Sequence, residues 1–373
     1  ELVEIIKSYS YSRNEESEYG TVSHIHYGDI HSKFNNIIDN NSKLPFLKLI
    51  EIKDLVLLEK GDIILADASE DYNGLGTTIV NLSDRKNIIG GLHTFVLRPD
   101  KEKLYSLYFL NYSKTLIYKK YMQKIGTGAS VFGISKANLE KLALLKPSLK
   151  EQQKIGDFFM LLDKRIEQQE QKTALLKDYK KAMMQKIFSQ KIRFKDENGN
   201  DYPDWEEKKL GEIGKFLNNR REAITEALRK NGKYPYYGAT GIIDSVEEYI
   251  FDQEIILLGE DGAKWGENEE SAFYVNHKCW VNNHAHVIEV NGNSVFLKEY
   301  LNFLELRRYV SGNAPAKLTL ENARKILLNT PSFQEQEKIA FFLTSINKRI
   351  EKQENTLDKM QEYKEALLHK IFI

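Results

Sequence analysis

Between Pro147 and Phe188 the apolar residues fall at Ile155, Phe159, Leu162 and Ile166, pass through Gln169 and Thr173, and resume at Leu176. Between Pro331 and Phe372 they fall at Ile339, Leu343, Ile346, Ile350, Leu357 and Met360, with Gln353 in line. Steps that alternate four and three mark the seam of a coiled coil. After Gly156 no Gly or Pro interrupts either stretch, so each predicts a helix of about 40 residues, roughly 60 Å long. Two amphipathic helices packed on their own domains are the plainer reading. That length, however, outreaches a single small domain, and the obvious partner for each helix is the other. Gln169 and Gln353 share one seam position, either as a buried amide that sets register or as an exposed pair.

The two stretches are copies. Pro147 to Phe188 aligns without gaps on Pro331 to Phe372, with about 19 of 42 positions identical, at an offset of 184 residues. At the same offset Gly128, Asn138 and Lys141 match Gly312, Asn322 and Lys325. With small insertions Gly61 to Leu65 answers Gln253 to Leu257, and Leu92 to Val96 answers Asn283 to Val287. Glu1 to Glu4 then aligns with Glu212 to Lys215, and no Met opens the chain. A piece resembling Trp205 to Gly211 is therefore expected upstream of the first residue. A repeat of this size decides the architecture. The expected order is a first globular part over 1–146, truncated at its start, and a helix with its polar linker over 147–195. A second globular part follows over 196–330, and a second helix over 331–373.

Short β-like runs at Asp62 to Leu65, Thr77 to Leu82, Thr94 to Leu97, Glu254 to Leu258 and Val281 to Val290 alternate with Gly and Asn turns. Helical stretches follow near Leu104 to Met122 and Leu297 to Val310. Each globular part is thus an α/β (α+β) domain of strand-rich type. A parallel helix pair would force the intervening part to span a full helix length. The expectation is a long antiparallel two-helix coiled coil with pseudo-twofold symmetry and a globular part at each end.

Composition removes whole classes of function. With 54 basic and 54 acidic residues the net charge is zero, so any polyanion site must be local. Cys279 is the only cysteine, and no apolar run approaches the roughly 20 residues of a membrane span; the compartment reads as reducing and cytoplasmic, with no membrane partner. Gly214-Lys215 and Gly232-Lys233 are followed by Phe216 and Tyr234 rather than Ser or Thr, which excludes a P-loop. No Pro-Pro pair exists, so the Asn-Pro-Pro-aromatic loop of amino-methyltransferases is missing. Asp204 to Lys208 places its acids and lysine too close together for a nuclease core. His277, Cys279, His284 and His286 are ligand types suited to zinc, but the first copy answers only with His93, and the spacing favours hydrogen-bonded strand histidines. No catalytic residue and no metal ligand is assigned.

Nucleic-acid chemistry has better candidates. Cations neutralise phosphates, and Arg, Asn, Ser and Thr read base edges. The first copy offers Tyr27, Lys120, Lys124, Thr127 and Ser130, beside Lys114, Tyr118, Lys119 and Tyr121. The second offers Arg220, Arg221, Lys233, Tyr236 and Tyr237, then Lys264 and Trp265, and finally Asn283, His284 and Lys317. Gly126 to Ser130 and Ser311 to Ala314 form paired Gly-rich loops just before each long helix, suited to phosphate gripping or to a plain turn. The acidic block from Asp244 to Glu270, broken by Lys264, should face away from DNA or toward a basic partner.

Taken together, these residues carry a resemblance. Two variable parts alternate with two similar helices, each opening Pro-Ser-x-x-Glu-Gln and closing Lys-Ile-Phe. A linker Ile192 to Gly199 is followed by Tyr202-Pro203-Asp204-Trp205, and Tyr236 to Ala239 and Leu258 to Gly262 fall within the second globular part. The whole pattern resembles the specificity (S) subunit of type I restriction-modification enzymes. The resemblance implies a non-catalytic reader of double-stranded DNA that docks each part in the major groove on one half of a bipartite, asymmetric target. It implies two methyltransferase subunits using S-adenosylmethionine, and motor/nuclease subunits using ATP and Mg; the chain itself holds no cofactor. Base-reading residues differ among members, so the resemblance transfers no target sequence and no spacer length. The alternative is a coiled-coil adaptor that tethers two protein-binding modules.

Overall fold

Ile63 to Ala66 and Ile255 to Gly259 are unbroken apolar runs because both faces of each strand are buried. Alternate side chains point to opposite faces. Ile63 and Leu65 therefore enter one core with Leu107 and Phe159, while Ile64 and Ala66 enter another with Ile25 and Ile38. In the same way Ile256 and Leu258 pack with Phe296 and Leu343, and Ile255 and Leu257 with Phe251 and Val281. The computed structural model describes residues 2–34, 36–48, 54–144, 146–229, 232–312 and 316–372. Contacts divide the chain into two units, Glu1–Glu170 with Thr356–Ile373, and Gln171–Asn355. The division falls within the long helices, Leu149–Phe188 and Phe333–Ile371.

In the first unit a five-stranded sheet runs Val3–Ile6, Thr94–Pro99, Ile63–Ala66, Thr78–Asn81 and Ile37–Ile38, antiparallel except for the last pair. A smaller sheet joins Glu16–Ser17, Phe46–Leu47, Ser23–Ile25 and Ile88–Gly90. In the second unit a four-stranded sheet runs Gly214–Phe216, Ala285–Val290, Ile255–Gly259 and Ala272–Val275. Beside it stand a three-stranded sheet around Tyr234–Gly238 and the pair Glu206–Lys209 with Leu327–Thr330. Val3 faces Pro99 as Gly214 faces Val290, the correspondence expected from the aligned starts. Each is an α/β unit as the strand runs predict, although the expected strand Val281 to Val290 is interrupted at 282–284, where the chain turns outward.

Each unit contains one end of the helix pair, and the helices run antiparallel. In the first unit Phe159 meets Phe372, Asp163 meets Lys364 and Glu170 meets Gln361; as residue number rises along one helix it falls along the other. In the second unit Lys177 pairs with Glu354 at 2.6 Å. The seam follows the predicted steps. Phe159, Ile166, Ile339, Leu343, Ile346 and Ile350 are buried, and Ile155, Leu162, Gln169, Leu176, Gln353, Leu357 and Met360 are half-buried. The same steps continue to Lys180 and Lys364, which the apolar pattern does not show.

The Pro-Ser-x-x-Glu-Gln opening explains itself. Gln152 Oε1 accepts the backbone N–H of Tyr105 at 3.0 Å, and its Nε2 donates to the carbonyls of Lys103 and Pro147. Gln336 Oε1 does the same for Asn293 at 3.0 Å, and its Nε2 donates to Pro331 O. The buried Gln thus ties the start of each globular-part helix, Ser106–Tyr112 and Ser294–Phe303, to the start of each long helix. Glu335 accepts from Arg193 at 2.8 Å and from the Trp205 indole at 3.0 Å, which anchors the linker. Of the apolar residues flanking the seam, Phe158 and Phe341 are exposed, whereas Phe342 lies against Phe194. No helix of the described residues is long and apolar enough to cross a membrane.

Candidate nucleic-acid interface

Both units build the same tip where their central strand ends. In the first, Asp67 follows Ile63–Ala66, its N–H bonded to His93 O and its carbonyl accepting from Ile134 N. In the second, Glu260 follows Ile255–Gly259, its N–H bonded to His284 O and its carbonyl accepting from Leu318 N. Beside each tip the chain is bridged, Thr127 to Gly133 in the first and Ser311 to Lys317 in the second. Gly128 at φ 143° and Gly312 at φ 80° take backbone that favours glycine. Asn313 and Ala314 of the second loop lie outside the described residues.

At the first tip the half-exposed His93 pairs through Nδ1 with Asp67 at 3.2 Å, and Tyr27 stands edge-on to its ring at 5.4 Å. Burial pushes the Asp67 carboxyl upward, and the His93 ring only partly opposes this. Thr127 and Ser130 are exposed on the bridged loop, which is held by Phe132 stacked on Tyr72 at 3.8 Å. The helix Leu116–Ile125 buries Tyr118 and Met122 and turns Lys120 and Lys124 to solvent.

The second tip is organised by one buried carboxylate. Glu260 Oε2 accepts from Arg221 at 2.5 Å, and Oε1 lies 2.9 Å from Lys317. Burial would raise its pKa, but the hydrogen bonds from Arg221 and Lys317, with His286 and the Arg221 charge nearby, leave it lowered. Arg221 also donates to the carbonyls of Asn218, Asn283 and Ala285. It is thereby spent on holding the 282–284 turn outward. Asn283 and His284 stand exposed on that turn, with His284 Nδ1 2.5 Å from Asp261. Exposed Lys264 and half-buried Lys317 complete a basic rim.

Several sequence candidates are placed elsewhere. Tyr236 and Tyr237 are buried: the Tyr236 hydroxyl accepts from Ile224 N at 3.0 Å, and the Tyr237 hydroxyl lies 3.2 Å from His277 Nε2. Trp265 is buried with its indole donating to Gly259 O. These three rings fill the core, where apolar ring area is more stable than it would be projecting into solvent. Arg220 covers the Phe251 ring at 4.6 Å and donates to Gln253 and Ile250 O. Lys233 is exposed beside Tyr234.

The four zinc-type residues do not converge. Cys279 is buried with its thiol pushed up to about 12 by burial. His286, fully buried and with its pKa lowered by burial, lies between Leu318 O and Asn218. His277 and His284 go to Tyr237 and Asp261. Among the described residues no three potential ligands are grouped. The acidic block finds its basic partners within the second unit: Asp244 with Arg229, Asp252 with Lys278, Glu260 with Arg221 and Glu269 with Arg307. Sequence reasoning missed Asp67, Glu260 and Asp261; the available signal was an acid directly after each fully apolar strand.

The chain matches the family model of the type I restriction modification DNA specificity domain over residues 1–178 and again over 202–359. A putative type I restriction enzyme specificity subunit from Haemophilus influenzae is 37% identical over 143 residues, which span 37% of this chain and 36% of that protein. The chain therefore covers little more than a third of that relative. A putative type I restriction enzyme MjaX specificity subunit from Methanocaldococcus jannaschii is 24% identical over 355 residues, 88% of this chain and 82% of the relative. The crystal structure of the S subunit of a type I restriction-modification system from M. genitalium covers all of this chain, and 94% of its own, at a TM-score of 0.65 and 18% identity. That likeness concerns the fold.

Proposed function

Because the chain belongs to the type I restriction-modification DNA specificity family, a family of non-catalytic modules, we propose that it reads an asymmetric, bipartite DNA target with one tip on each half. The observation that carries this reading is the recurrence of one tip in both units, with different side chains on it. Same backbone and different chemistry is what two readers of two half-sites require. In the first tip His93, Thr127 and Ser130 face solvent beside half-buried Tyr27, with Lys120 and Lys124 on the preceding helix; in the second, Asn283, His284 and Lys264 face solvent beside half-buried Lys317. Lysines neutralise phosphates and fix register, while Asn, His, Ser and Thr meet base edges in the major groove. Lys233 and Arg220, placed away from the tip, serve the phosphate backbone of the same half-site.

The long helices set the gap between half-sites and, with exposed Phe158 and Phe341, carry two methyltransferase subunits. Those subunits supply adenine methylation from S-adenosylmethionine, and motor/nuclease subunits with ATP and Mg complete the assembly. The test is selection of a random duplex pool by the chain bound to its methyltransferase. Recovery of one split motif, with binding that weakens steeply in salt, supports the reading. Binding that is indifferent to sequence would leave a tether of two protein-binding modules.

A further inference from the structure

Each unit has a polar cluster where its globular part meets the long helices, and the two clusters are built differently. In the first, Asp163 of helix Leu149–Phe188 lies 2.5 Å from Lys364 of helix Phe333–Ile371 and 3.3 Å from Lys114 of the globular part. In the second, the acid belongs to the globular part. Glu299, 1% exposed, lies 2.9 Å from Lys180 and 3.1 Å from Lys298, and accepts from Asn347 Nδ2 at 2.9 Å.

The two clusters correspond at the helix lysine and at the two acid–amide positions, but not at the second lysine, since Lys114 aligns with Asn302 and Lys298 with Leu110. Lys180 and Lys364 are separated by the repeat offset, and so are Asp163 and Asn347. The globular-part helices are brought into register by the Gln152–Tyr105 and Gln336–Asn293 bonds. Six residues beyond Tyr105 stands Asn111, and six beyond Asn293 stands Glu299. Acid and amide have therefore changed places: Asn111 with Asp163 in one unit, Glu299 with Asn347 in the other. Each arrangement supplies one carboxylate for two lysines. The first globular part set on the second helix segment would bring Lys114 and Lys180 together with Asn111 and Asn347 and no acid. A buried cation without its partner is strongly destabilising.

We propose that Asp163 and Glu299 are positioning residues that key each globular part to its own segment of the paired helices, so that the parts exchange places only if acid and amide travel with them. The keying concerns docking within each unit and holds whether or not the tips read DNA. Burial of Glu299 would raise its pKa, yet the two lysines, with the amide of Asn347, hold it lowered, as a charged key requires.

The experiment compares the full chain with Glu299→Asn, Asn347→Asp and the two combined, by thermal unfolding and by yield of soluble protein. Glu299→Asn leaves Lys180 and Lys298 without an acid, and Asn347→Asp sets a second carboxylate beside Glu299; each lowers the midpoint. The combined variant restores one carboxylate for the two lysines, with acid and amide placed as in the first unit, and regains more than half of the larger loss. If a single variant is insoluble, recovery of soluble protein in the combined variant is the supporting result. A combined variant at or below the worse single one, in midpoint or in yield, overturns the proposal.

Discussion

The ring of Phe372 lies 6.4 Å from that of Phe159, so the last turn of the second long helix packs beside the first turns of the other. Phe159 is fully buried there, while its neighbour Phe158 is 43% exposed. Phe159→Ala should therefore cost about 3–5 kcal/mol, and Phe158→Ala should stay within about 0.5 kcal/mol. Urea unfolding of the two variants checks this. Equal losses would mean that the contact between the helix ends does not hold the first unit together.

Glu260 gives the second tip a dependence on acid. Its pKa is lowered in the folded chain by its cationic partners against the effect of burial. The stabilisation it contributes is thus present above the unfolded value of about 4.3 and is lost as pH falls through the folded value. Glu260→Gln should cost about 1–3 kcal/mol at pH 7, the price of leaving Arg221 short of its partner. The gap to the native chain should narrow as pH falls below that unfolded value. Thermal midpoints from pH 7 downward decide it, and a gap of constant size throughout counts against an electrostatic role.

The duplication and the seam were legible because both leave a period in the sequence. Phe159 and Ile166, and Ile339, Leu343, Ile346 and Ile350, had to be apolar at seam steps, and they are buried. The seam lysines Lys180 and Lys364 were illegible: a cation at a seam position is stable only through an acid that another element brings. The Tyr236-Tyr237 pair misled for a related reason. An aromatic beside arginines reads equally as a DNA contact or as a core ring with a bonded hydroxyl, and the Ile224 N–H that donates to the Tyr236 hydroxyl lies 12 residues away. Local pattern shows which faces are apolar. It does not show which polar group another segment delivers.

On the proposed reading, exposed and buried members of the second tip separate in DNA binding. Lys317 is 44% exposed at the rim, whereas the Tyr236 hydroxyl is inside. Lys317→Ala should weaken binding to all duplexes alike and lower the slope of log affinity against log salt by about one. Tyr236→Phe should leave both affinity and slope unchanged, at some cost in stability. Titrations at several salt concentrations measure both. An unchanged slope in Lys317→Ala removes this lysine from the phosphate contacts.

The helices supply the sharpest test of the gap between half-sites. Deleting Glu170 to Leu176 together with Glu354 to Met360 removes one heptad from each helix and keeps every remaining seam residue in phase. Seven residues at 1.5 Å each shorten the pair by about 10 Å, roughly three base pairs at 3.4 Å per step. Neither deletion touches the tips at Asp67 and Glu260 or the keys at Asp163 and Glu299. The shortened chain should therefore select the same two half-sites at a gap about three base pairs smaller, read by sequencing the duplexes it retains. The same half-sites at the original gap would show that the distance is set by something other than helix length.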